Sequence, residues 1–249
     1  MNNSNPKRPQ MKAIFESNKK EYERWGLPYD EVKKVVDKLH NLCVRFRNCF
    51  ATQTNNKNEY AWIYLRGLLW LETDRNYANI ARRVIGPDDD GQSLQHFMSD
   101  SPWSGKKVMA QIQEEIAQRP ELQGGMLSLD ESGIACSGKQ KAGAARQYLG
   151  REGKVDLGQV SIGLSYYKNG LWSLVDAELF LPERWFSEEY ADLSNRWHIP
   201  EKRVFQSKIA LGLEMIKRSK ERGLPFETIS LTAFMVKIAN SGQIWTMKG

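Results

Sequence analysis

The sequence predicts an α/β chain in which an all-helical N-terminal region precedes a layer of strands running in both directions. Three observations carry this reading. Apolar residues recur at helical spacing through the first 120 positions, and Pro120 ends the last such run. Gly124-Gly125 then opens a short apolar strand, Met126-Leu127-Ser128-Leu129, with Asp130 at its end. Beyond it come two strand-like runs joined by a tight-turn signal, then helix and strand, an order that mixes strand directions in one layer. At 249 residues, 41% hydrophobic and 27% charged, the chain has the make-up of an ordinary globular protein with a sizeable core.

Taken in order, residues 1–25 are polar, with Pro6 and Pro9, and read as a flexible leader. Val32, Val35, Val36, Leu39, Leu42, Phe46 and Phe50 fall on one helical face, so a helix is expected from Asp30 to Phe50 with Asp30 as its N-cap. Further helices are expected over Tyr60–Leu71, Tyr77–Val84 and Ser93–Met98. Another should run over Lys106–Gln118, capped by Ser104, with Val108, Met109, Ile112 and Ile116 inside. After the first strand, Gln159–Tyr167 and Leu171–Leu181 are expected to form a hairpin through the Lys168-Asn169-Gly170 turn. Helices over Glu188–Trp197 and Lys208–Arg222 and a strand over Phe226–Leu231 complete the pattern.

Composition excludes several classes. No apolar run reaches the ~18–20 residues that span a bilayer, and the polar, charged start argues against a secretory signal peptide. Cys43, Cys49 and Cys136 are odd in number and lack CxxC spacing, which suits a reducing cytoplasm and offers neither a disulfide framework nor a zinc site. His40, His96 and His198 have no metal-ligand spacing. The eight tryptophans sit mostly in apolar patterns, which favours core packing over a sugar cleft. No GxGxxG, Walker A, GxSxG or HExxH motif occurs. The net charge of +6 is divided as +5 over residues 1–50, −4 over 51–200 and +5 over 201–249. Basic ends suit a polyanionic partner, although a solvated surface would give the same counts.

An acid at the end of a short apolar strand, followed by an antiparallel hairpin, a helix and a strand, is how an RNase H-like nuclease fold begins. Several blocks of this sequence carry a closer resemblance. They are Leu94-Gln95-His96-Phe97-Met98-Ser99-Asp100-Ser101-Pro102-Trp103, Leu127-Ser128-Leu129-Asp130-Glu131 and Ala145-Arg146-Gln147-Tyr148-Leu149-Gly150 with Gly153-Lys154. The series continues through Gln159-Val160-Ser161-Ile162-Gly163-Leu164 and Glu178-Leu179-Phe180-Leu181-Pro182-Glu183-Arg184-Trp185. In order and spacing, from roughly residue 60 to residue 230, they resemble the DDE transposases of bacterial insertion sequences. The resemblance implies an RNase H-like mixed sheet, incomplete here, after the helical region. It implies Mg²⁺- or Mn²⁺-dependent cleavage and joining of double-stranded DNA at element ends, on the nucleoid in the cytoplasm. It makes Asp130 the first of three catalytic, metal-binding carboxylates. In-line attack on phosphorus uses two divalent cations, and hard cations need oxygen ligands held rigidly.

The resemblance places the second acid after the Phe226–Leu231 strand and the third on a later helix. Residues 231–249 contain no Asp or Glu, and the last acid is Glu227. Glu131 should project away from Asp130, while Asp176 and Glu178 suit structural roles. Read from the last base of the Leu231 codon, permitted codons for the remaining residues give D-S-F-Y-G-K-N-R-K-F-G-T-D-M-D-D-E-G. That string opens like the family's D-S-x-Y-G motif. The expectation is a frameshift near Ser230 or Leu231, with 232–249 an unrelated tail and 121–231 the first half of the catalytic domain. Such a fragment would be inactive, either binding DNA ends without cleaving or entering mixed assemblies with full-length transposase, itself or its own copies.

For DNA contact, residues 26–120 form the candidate region. Asn79–Gly86 followed by Ser93-Leu94-Gln95-His96 resembles a helix-turn-helix, with Arg82 and Arg83 at the end of its first helix; plain helical packing is the other reading. Lys139, Lys141, Arg146 and Lys154, with Arg151, lie in the connection after the first strand, where either phosphate contact near the Asp130 site or a plain solvated loop is expected.

Overall fold

The computed structural model describes residues 19–24, 26, 28–51 and 57–231. The residues fall into two compact units, one up to Ser104 and one from Gly105. Residues 1–18 of the expected leader and the whole of the expected tail lie outside the described residues.

The first unit is all-helical: α1 (Lys19–Arg24), α2 (Tyr29–Phe50), α3 (Asn58–Trp70), α4 (Tyr77–Val84) and α5 (Gln92–Ser99). Helix α1 occupies six positions read from sequence as leader. Asp30 is not the N-cap of α2. Pro28 takes that place without a side-chain cap, and Asp30 sits in the first turn, where a carboxylate favours the helix dipole. Helix α4 starts as its sequence directs, with Asn76 Oδ1 accepting from the Asn79 N–H at 2.9 Å. Ile80, Ala81 and Leu94 form a fully buried centre, against which Tyr60, Ile63, Tyr64, Leu68, Leu71, Tyr77 and Val84 pack. Three helices, α3, α4 and α5, thus share one core.

The second unit begins with α6 (Gly105–Ala117), followed by β1 (Gly125–Ala135), β2 (Ala145–Leu149), β3 (Lys154–Lys168) and β4 (Leu171–Leu179). Helices α7 (Ala191–Arg196) and α8 (Lys208–Glu221) lead to β5 (Phe226–Leu231). Helix α6 resembles the preceding helices in pattern but packs with β4, because its inner face needs the sheet's core. Strands β1 and β3 are antiparallel, β1 and β5 parallel, and β4 lies antiparallel along β3. Strand β2 occupies the same edge of β3 further along, beside Lys154–Gly158. The β4-β3-β1-β5 order with its helical crossover is the mixed, RNase H-like sheet that the sequence predicts.

The β3–β4 turn is the two-residue Asn169-Gly170 link, both with positive φ (49° and 81°), the conformation a tight hairpin demands. The Glu188–Trp197 run is not one helix: a 3₁₀ turn over Glu188–Tyr190 precedes α7.

Side chains alternate across the sheet. Leu127 and Leu129 on β1 share a face with Val160, Ile162, Leu164 and Tyr166 on β3, and Leu211, Met215 and Ile216 of α8 join the same core. A register shift between Leu164 and Ser165 interrupts the β3–β4 ladder. Beside it, the buried Gln113 of α6 donates through Nε2 to the Val175 carbonyl at 2.9 Å, which ties the helix to the sheet.

Candidate functional site

Because Leu127 and Leu129 point into the core, alternation sends Asp130 to the opposite face, where it is exposed. The strand does not end there. It continues to Ala135, so Asp130 lies within β1, and the end that matters is that of its parallel neighbour: Leu231, the last residue of β5, pairs with Leu129. Asp130 is therefore one position beyond the last rung of the β1–β5 ladder. Opposite it on β3 is Gly163, which leaves the cross-strand place without a side chain. Serines surround it by register: Ser128 and Ser132 on β1, Ser161 and Ser165 on β3, and Ser230 opposite Ser128. Asp130 Oδ1 accepts from the Glu131 N–H at 2.8 Å.

Glu131 turns the other way, as expected. Its Oε2 lies 2.7 Å from Lys208 Nζ, with both side chains nearly buried (11% and 14% exposed). Lys208 is the first residue of α8, whose N-cap Ser207 accepts from the Ala210 N–H, and its ammonium stands 5.3 Å from the Phe180 ring. Asp176 and Glu178 on β4 have structural work. Arg218 Nε contacts Asp176 Oδ2 at 2.5 Å and Arg218 Nη2 contacts Glu178 Oε1 at 3.0 Å, while Lys106 Nζ reaches the same Glu178 oxygen at 3.1 Å. Burial works against the Arg218 charge, but the hydrogen bond and attraction of Asp176, with Glu178, outweigh it, so its pKa is raised. The network joins α6, β4 and α8.

The described residues around Asp130 do not fit a two-cation centre. Among the described residues no group of three or more His, Cys, Asp or Glu side chains could hold a metal ion.

The basic residues singled out from sequence separate into two sets. Lys139 and Lys141 are exposed in the β1–β2 connection, Arg146 on β2 and Lys154 at the start of β3. Arg146 pairs with Leu157, six residues along β3 from the Gly163 that faces Asp130, a separation of about 20 Å. Arg146 and, further still, Lys154 lie along the sheet from the acid, not beside it. The β1–β2 connection is held from behind. Arg184 Nη2 and Trp185 Nε1 donate to the Ala144 carbonyl (2.9 and 3.3 Å), and Gln159 Nε2 donates to the Ala142 carbonyl at 2.6 Å. Lys154 is engaged with Asp156 at 2.8 Å.

Arg82 and Arg83 occupy the exposed last turn of α4. Arg82 donates to Asn79 Oδ1 at 2.9 Å, and Arg83 lies over Trp70 of α3. The helix pair α4–α5 is present, and two of the three intervening aspartates serve the turn: Asp89 Oδ1 accepts from the Gly91 N–H and Asp90 Oδ1 from the Gln92 N–H, each at 2.9 Å. On α5, Gln95 and His96 are exposed, and His96 Nδ1 lies 3.0 Å from Asp100. Sequence reasoning missed Trp70, Arg66 and the Lys208 partner of Glu131. The four-residue spacing of Arg66 and Trp70 was a visible signal; the other contacts are tertiary.

A curated relative, the probable transposase for insertion sequence element IS701 of Microchaete diplosiphon, is 34% identical over 80 residues. That stretch is 32% of this chain and 21% of the relative, so the match spans about a fifth of the relative's length. No solved structure matches. The sequence pattern of the DDE superfamily endonucleases matches residues 45–232, from within α2 past the end of β5, and the chain belongs to that family.

Proposed function

We propose that this chain is an insertion-sequence transposase of the DDE type whose residues 1–249 supply the first catalytic carboxylate, Asp130, and do not by themselves cut DNA. The observation that carries this is the placement of Asp130, exposed and one position past the last β1–β5 rung, in a chain of this endonuclease family. Such nucleases work with divalent cations, Mg²⁺ or Mn²⁺, which would need further oxygen ligands close to Asp130. A single carboxylate among serines does not hold a cation pair.

The β1–β5 register supports the frameshift reading. With Leu231 opposite Leu129, the next position of a chain continuing along β5 runs beside Asp130. An aspartate read there in the alternative frame would stand next to the first acid. Sequencing the gene downstream of the Ser230 codon tests this; an absence of any open frame in that register overturns it.

What residues 1–249 retain is affinity for double-stranded DNA at element ends, through Arg82 and Arg83 in the helical unit and Lys139, Lys141, Arg146 and Lys154 in the sheet unit. Binding without cleavage makes the chain an inhibitory partner of full-length transposase, acting on the nucleoid in the cytoplasm alone, with its own copies or in mixed assemblies. Purified chain incubated with element-end duplex and Mg²⁺ or Mn²⁺ should retard the DNA in a salt-dependent manner without nicking it, and Asp130→Ala should change neither result. Nicking that disappears in Asp130→Ala would overturn the inactive reading.

A further inference from the structure

The end of α3 and the last turn of α4 gather arginines around an exposed tryptophan. Trp70 is 49% exposed, the Arg83 guanidinium carbon stands 4.5 Å from the centre of its ring, and that of Arg66 stands 5.8 Å away. Arg66 reaches the ring from one turn earlier in α3. Arg83 reaches it from α4, which is held close because Gly67 lets Ile80 pack directly on α3. Arg75 adds a third cation next to the ring's own helix end, its Nε donating to the Leu71 carbonyl at 2.6 Å. Glu72 and Asp74, the carboxylates of the α3–α4 connection, are exposed, and no ion pair within the described residues joins them to Arg66 or Arg83.

We infer that this cluster is a backbone-gripping fork for duplex DNA, in which Arg83 and Arg66 contact phosphate and Trp70 is the positioning residue that holds Arg83 in place. A guanidinium held over an indole ring keeps N–H donors available at its outer edge, and those donors match two phosphate oxygens at once. The contact also fixes a side chain that would otherwise lose its rotamer freedom on binding. Burial works against the Arg66 charge and lowers its pKa, so a nearby anion would relieve that cost. An unstacked base is the poorer occupant, because Arg83 already covers the ring. The inference rests on the DNA-binding reading above and names what in the helical unit grips the duplex.

The test uses the full chain and a random-sequence DNA duplex, with affinity measured by fluorescence anisotropy over a salt series. Arg83→Gln should weaken binding about fivefold to tenfold at low salt and reduce the slope of log affinity against log salt by about one. Trp70→Ala removes no charge, so it should weaken binding about threefold with the slope unchanged, and Arg83→Lys should behave similarly. Unaltered binding by Arg83→Gln and Trp70→Ala would overturn the inference while leaving the DNA-binding reading intact. No duplex binding by the parent chain would remove both. A Trp70→Ala loss confined to single-stranded DNA would overturn it in favour of base stacking. Should Trp70→Ala lower the melting temperature, the exposed Arg83→Gln decides alone.

Discussion

Glu131 and Lys208 pair at 2.7 Å on the face of β1 that Asp130 turns away from. Adjacent acids on one strand thus take opposite duties. One faces outward, and the other fastens the first residue of α8 to the sheet. With both side chains nearly buried, removing one charge strands the other. Lys208→Met should cost about 3 kcal/mol, and the Glu131→Leu/Lys208→Met double variant should recover a large part of that loss. Urea denaturation of the four chains of this cycle measures it; additive single effects would contradict the pairing.

Arg218 holds Asp176, which is only 3% exposed, and Glu178 with one planar group. Arg218→Ala should lower stability by about 3 kcal/mol, and Arg218→Lys should restore only part of it, because an ammonium cannot reproduce the fork. Thermal melts of the two variants check the ranking.

Gly212 sits in α8 where an added Cβ would fall 2.4 Å from Leu129 Cδ2. Gly212→Ala should destabilise by about 1–3 kcal/mol through overpacking, despite alanine's better helix propensity. Pairing it with Leu129→Ala should cost less than the two single changes added together. Chemical denaturation would reveal whether the two positions couple.

Asp130→Asn should leave the melting point nearly unchanged, within about 0.5 kcal/mol, since the side chain is exposed and an amide oxygen still accepts from the Glu131 N–H. A large shift in the melt would mean that Asp130 has a structural load that its geometry does not show.

Burial pushes the Cys43 thiol up to about 11 from its model-compound value of 9.0. The folded chain therefore holds this proton more tightly than the unfolded chain. Cys43 contributes stability below about pH 9 that is lost as pH rises toward 11. Iodoacetamide labelling read by mass spectrometry should find Cys43 slow at pH 8 and faster above pH 10. Fast labelling at pH 8 in the folded protein would contradict it.

The legible parts of the fold are those whose ends carry their own chemistry. Tyr77–Val84 begins at the capping Asn76, and Phe226–Leu231 follows the Gly223-Leu224-Pro225 break; both elements have the expected bounds. Strand β1 beyond Asp130 and all of β2 were illegible because Ser132 and Gly133 look like loop and Ala145-Arg146-Gln147 carries no strand pattern. Pairing to a long β3 imposes extension on β1 and β2 that local preference does not. Asp130 could be read from its block, and the outward turn of Glu131 from alternation. Lys208 could not, since 77 residues separate it from its partner.

On the proposed reading, the parallel pairing of Leu129 with Leu231 marks where the packed strands end and the second acid would begin. Every core residue among those described precedes that rung, so on the frameshift reading a change of frame just after it leaves those residues unaltered. On that reading the same change also decides whether a second carboxylate reaches Asp130. On the proposed reading, a single base at that point silences a nuclease while sparing the packed residues before it.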